Sequence, residues 1–180
     1  KLISPYGTVV DLAVSSNFSN TLALSGTVLD DEASANIGSG TPPYMGSFQP
    51  DGKLSDFDQE SMKGTWQLWI YSGINNTAYN LSISSWKLII TYDDSTPKDP
   101  PTTSGTTYTG DNFTSSGAGI TTSDLDISDA GTITDINVEL NATGAYDAAF
   151  TNRDFKLISP YGTVVDLAVS SNFSNTLALS

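Results

Sequence analysis

Carboxylates and side-chain amides are the chemistry-bearing groups that this sequence gathers into patterns. Asp30, Asp31 and Glu32 run together, and Asp56 and Asp58 follow in a second polar stretch. Hard oxygen donors grouped in loops are the ligand set calcium prefers. Their spacing does not match an EF-hand loop, so two expectations stand: structural Ca2+ held by these five residues, or solvated acidic loops. Six Asn-x-Ser/Thr sequons, at Asn17, Asn75, Asn80, Asn112, Asn141 and Asn172, are candidate glycosylation sites and would mark exposed loops. The chain has no Cys and no His. Disulfides, thiolate nucleophiles, Cys/His zinc sites and Ser-His-Asp triads are thereby excluded. Paired carboxylates can hydrolyse glycosides, but no spacing here argues for it. The expectation is that the chain is not an enzyme.

Charge narrows the partners. Twenty acidic residues against seven basic ones give a formal net charge of −13. Phosphate backbones are bound by Lys and Arg clusters, so no nucleic acid is expected as a partner, nor an anionic membrane surface. No segment approaches the run of about 18 apolar residues that spans a bilayer, so no membrane insertion is expected. The acidity suits an extracellular or cell-surface protein.

The elements that must position these groups read as strands. Trp66, Leu68 and Ile70 alternate with Gln67, Trp69 and Tyr71, and Trp86, Leu88 and Ile90 alternate with Lys87, Ile89 and Thr91. Ile136, Val138 and Leu140, and later Val165, Leu167 and Val169, show the same period of two. Such runs, separated by Gly, Asn, Asp, Ser and Pro, predict antiparallel strands with one buried face. No stretch carries a helical period. The predicted class is all-β, two sheets packed as a sandwich. Trp66 and Trp86 are expected in the core and Trp69 on the opposite face.

Residues 1–25 recur letter for letter as residues 156–180. The offset of 155 residues is domain-sized, which predicts near-identical units in tandem rather than a solenoid of small elements. The segment 93–104 contains Pro97, Pro100 and Pro101 among Thr, Ser and Asp, and reads as a semi-rigid linker. The expected organisation is therefore residues 1–92 as the C-terminal part of one module, 93–104 as linker, and 105–180 as the N-terminal part of the next. Pro160-Tyr161-Gly162 predicts a tight turn in the duplicated hairpin. An opening at Lys1 cuts that hairpin, which predicts either one long repetitive chain or subunits that donate the hairpin to a neighbour.

Read from residue 105 through 180 and on into a copy of 26–92, the module resembles the P domain found downstream of subtilisin-like proprotein convertases. The resemblance rests on Gly131-Thr132-Ile133-Thr134-Asp135-Ile136, on Asp154-Phe155-Lys156-Leu157-Ile158-Ser159-Pro160-Tyr161-Gly162-Thr163, and on Leu29-Asp30-Asp31-Glu32-Ala33. It continues through Gly46-Ser47-Phe48-Gln49-Pro50, Leu54-Ser55-Asp56-Phe57, Gly64-Thr65-Trp66-Gln67-Leu68 and Trp86-Lys87-Leu88. The chain departs from the family pattern at 141–146, where a longer loop replaces a His-Thr-Tyr, and at Arg153, which stands in place of a glycine. The resemblance implies a jelly-roll β-sandwich of the galactose-binding-like type, and calcium in loops such as 30–32. The function expected is a non-enzymatic structural repeat protein of an extracellular fibre or filament, with neighbours of its own kind as partners and strand exchange between them. Two alternatives stay open: an adhesin or carbohydrate-binding module for glycans or host surface proteins, and an accessory domain of a secreted subtilisin-like protease.

Overall fold

The computed structural model describes residues 2–4, 9–10, 12, 23–41, 43–73, 75–94, 103–144 and 153–158. The predicted all-β class holds. Among the described residues, eleven strands fall into two sheets: β1 (Leu2–Ile3), β2 (Val9–Val10), β3 (Ala23–Leu29), β4 (Gly46–Phe48), β5 (Gly64–Ser72), β6 (Leu81–Asp93), β7 (Thr103–Gly110), β8 (Phe113–Ser115), β9 (Gly119–Ile127), β10 (Thr132–Gly144) and β11 (Arg153–Ile158). One sheet runs β2-β1-β11-β5-β9, with β1 also pairing β5. The other runs β4-β3-β10-β6-β7, with β8 on β6. All pairs are antiparallel except β3 with β4, which is parallel.

The alternating runs place their apolar residues inward. Trp66, Leu68 and Ile70 on β5 are fully buried, and so are Trp86, Leu88 and Ile90 on β6. With Ile136, Val138 and Leu140 of β10 they form a single core. Each buried indole N–H has the partner it needs: Trp66 donates to the Met62 carbonyl at 2.9 Å and Trp86 to Ser123 Oγ at 3.0 Å. The Phe57 ring meets Trp66 edge-on, with centroids 5.2 Å apart. Trp69 is only half-buried and stacks on Tyr71 of the same outer face.

β6 and β10 extend further than their alternation predicts, because bulges shift the phase. The register between them slips between Ile133 and Asp135, and again between Asn141 and Ala142. Ile133 therefore buries three residues before Ile136, and Ile83 three before Trp86. On the other side of β10, the β3 register slips opposite Asn141, where Gly26 adopts a φ of 60° that favours glycine.

The expected linker is bounded differently. Asp93 belongs to β6, and Thr103 and Ser104 belong to β7. These two strands pair from Asp93↔Thr103 to Trp86↔Gly110, so the proline-bearing segment connects neighbouring strands of one sheet. Parts of the chain on either side of it complete one pair of sheets, since β10 pairs with both β3 and β6. The expected turn at 160–162 lies outside the described residues.

Gly110 sits opposite Trp86, where a Cβ would lie 2.0 Å from the indole Cε2. Real Cβ atoms do not approach that closely, so Gly110→Ala must displace the central tryptophan of the core. We expect a loss of about 1–3 kcal/mol, the usual cost of overpacking, read as a lower melting temperature by circular dichroism. A melting temperature equal to that of the wild type would show that Trp86 can move without cost.

Candidate functional site: the hairpin seat and the acidic loops

The structure places the described residues of the first hairpin copy in the core. Leu2, Ile3, Ser4, Val10 and Leu12 are all fully buried. β1 pairs with β2 through Leu2↔Val10, and with β5 through Leu2↔Leu68 and Ile3↔Gln67. Burying aliphatic side chains of this size contributes about 1.5–3 kcal/mol each, so this hairpin is a substantial part of the sandwich. The buried Ser4 hydroxyl is anchored too: its Oγ donates to Glu60 Oε2. Glu60 is itself held by backbone bonds to Phe57 and Ile133.

The second copy of the same sequence addresses the same strand. β11 pairs with β5 from Arg153↔Ser72 to Leu157↔Leu68. Leu157 is the repeat equivalent of Leu2, 155 residues on, and both stand opposite Leu68. Where β11 leaves off, β1 continues to Gln67 in the register that Ile158 would take. Ile3 and Ile158, again one repeat position, pair with each other. β5 thus has a single seat for the hairpin and two identical claimants within the chain.

The acidic loops lie beside the segment that carries Glu60. Asp30–Glu32 forms a turn after β3, and Asp56 and Asp58 lie on and just after a 3-10 turn, Leu54–Phe57. Both Asp31 oxygens accept backbone N–H groups, from Leu54 at 3.0 Å and Ser55 at 2.9 Å, so this carboxylate caps the turn. Asp30 Oδ1 accepts from the Glu32 amide at 2.8 Å. Asp56 is exposed on the turn. Among the described residues, no three acidic side chains form a group that could hold a metal ion. The five expected calcium ligands are therefore brought near one another, but not into a ligand set.

What the cluster has instead is repulsion in partly desolvated surroundings. Burial raises the Asp58 carboxyl, helped by Asp135 and Asp31, and its Oδ1 is buried with no hydrogen-bond partner. Burial likewise raises Asp135, with Asp30 and Asp31 adding to it. Glu32 is raised first by its hydrogen-bonded neighbour Asp30, then by burial and Asp135. No protein-family model, curated protein or solved structure matches the chain. The site must therefore be read from its own geometry.

Asn75 and Asn112 are exposed, and Asn80 is partly exposed just before β6. Asn17 and Asn172 lie outside the described residues. Asn141 is a different case from the loop site expected. It lies within β10 at the double bulge, where its Oδ1 accepts the Gly26 amide at 2.7 Å and its Nδ2 donates to Ser85 and Glu139. A glycan on that nitrogen would take one of the two N–H groups that reach Ser85 on β6 and Glu139. Glu60 was not singled out from the sequence, whereas Asp135 and Ser159, the repeat equivalent of Ser4, stood only as members of longer motifs.

Glu60 has the largest consequence for pH. Burial pushes its carboxyl up to about 7, against the opposing Ser4 hydrogen bond. A raised acid favours the neutral form when folded, so its contribution is full below the ordinary value of 4.5 and is lost as pH rises through about 7. Glu60→Gln keeps an uncharged acceptor for Ser4. We expect the wild-type melting temperature to fall between about pH 5 and pH 8 and the variant's curve to be flatter across that window. Equal losses in both chains would remove Glu60 as the titrating group.

Proposed function

We propose that the protein is a non-enzymatic structural repeat protein of an extracellular surface fibre or filament. Its units are P-domain-like jelly-roll sandwiches in tandem, with neighbours of the same kind as partners. The observation that carries this reading is the double claim on Leu68: Leu2 and Leu157, 155 residues apart, take one register on β5. A sandwich that seats a segment recurring at a domain-sized offset is suited to joining one unit to the next, and joints of that kind run head to tail without closing. A net charge of −13 accords with a surface protein, and the absence of Cys and His leaves no thiolate or imidazole for catalysis.

Electron microscopy of the native protein tests this, together with its intact mass. Filaments with one sandwich per axial repeat are expected, with a mass near 19.0 kDa for separate subunits or a much larger one for a continuous chain. Particles that stay single and dispersed at high protein concentration would sink the proposal.

A second reading, a carbohydrate-binding module, has one observation in its favour. Trp69 and Tyr71 stack at 6.3 Å and 18° on the outer face of β5, a half-buried aromatic platform of the kind that sugar rings lie on. Binding on a glycan array that disappears in Trp69→Ala, with an unchanged circular dichroism spectrum, would establish it. No retained glycan would dismiss it.

A further inference from the structure

We infer that the seat on β5 is an inter-chain docking site whose occupant is the C-terminal hairpin copy, residues 157–167, of a second copy of this chain. The inference deepens the fibre reading and rests on it: it names the joint.

The two hairpin copies make identical demands. In the first copy Leu2, Ile3, Val10 and Leu12 are fully buried, with Ser4 on Glu60. The equivalents in the second copy are Leu157, Ile158, Val165, Leu167 and Ser159. An apolar set of that size is satisfied only by a surface of the same shape. In its own chain that surface is taken: β11 reaches Leu68 and there meets β1, which holds Leu68 and Gln67. A strand edge offers each backbone group one ladder partner, so both hairpins cannot complete the same rungs. The other surface with this register, pocket shape and Glu60 acceptor is the β5 seat of another copy.

Exchange of one hairpin for the other preserves the contacts, because the arriving and departing segments are identical over 25 residues. The balance between closed and linked forms is then set by chain connectivity and local concentration rather than by the joint's chemistry. Residues 1–180 carry one β5 seat and two copies of the hairpin sequence, so a copy that accepts at its seat still has a hairpin to donate. The result is an open head-to-tail series.

The absence of native cysteine makes the test direct. Full-length Gln67→Cys and full-length Ile158→Cys are mixed, passed through mild denaturant and back, and oxidised. Residue 67 faces the Ile3 position of the repeat, which is Ile158 in the second copy. We expect a disulfide between the two chains in several-fold excess over a control pair of Gln67→Cys with Ser116→Cys, since Ser116 is exposed and remote from the seat in register. A chain carrying both substitutions should give a ladder of covalent multimers.

A second arm needs no substitution. The unmodified chain should retain a synthetic peptide of residues 156–180 and not a scrambled version. Control-level cross-linking, with no peptide retained, would overturn the proposal. Filaments seen by microscopy without the 67–158 cross-link would overturn this joint and leave the fibre standing. The cross-link without filaments would do the reverse.

Discussion

A backbone amide in a sheet can pair once, and β5 feels that limit more than any other strand. It carries Trp66, Leu68 and Ile70 into the core on one face, pairs β9 along one edge, and on the other edge must accept the strand that closes its sheet. That closing strand is assembled from two pieces, β11 over Ser72–Leu68 and β1 over Leu68–Gln67. The buried residues of the hairpin and the Ser4–Glu60 contact depend on which piece holds Leu68.

Much of the sandwich was legible in the sequence, for a physical reason. A strand buried on one face must alternate, and the runs at 66–70, 86–90 and 136–140 do so without interruption. The ends of the long strands were hidden, because a bulge inserts a residue and reverses the phase. Leu81, Ile83 and Ile133 are out of step with their runs for that reason alone. The parallel pairing of β3 with β4 had no local signal, since it depends on the intervening loop folding back across a 3-10 turn. The linker was recognised by its prolines, but its composition cannot say that the strands it joins are neighbours.

The candidate site was legible in part. The recurrence of residues 1–25 pointed to the hairpin, and the geometry gave it an address on β5. The acidic residues were found by composition, yet hydrogen bonds decide what each does. Asp31 caps a turn through both oxygens, while Asp58 has a buried oxygen with no partner. A sequon is a statement about three residues, whereas Asn141 is defined by Gly26, Ser85 and Glu139, which lie on three strands. Glu60 gave no sequence signal because its environment comes from Ser4 and the backbone of Ile133, both distant in the chain.

The pairing of β6 with β7 across the proline-bearing segment has a consequence for where the sequence can be cut without losing a strand. Residues 94–102 join two strands that pair with each other, and the sequence of the hairpin that precedes β3 begins again within β11. Any stretch one period long, wherever it is cut, contains each strand once. A duplication or deletion of one 155-residue period would therefore add or remove one whole set of strands, without leaving a sheet unfinished. The strand inventory of the two sheets is thus insensitive to where the period is taken to begin.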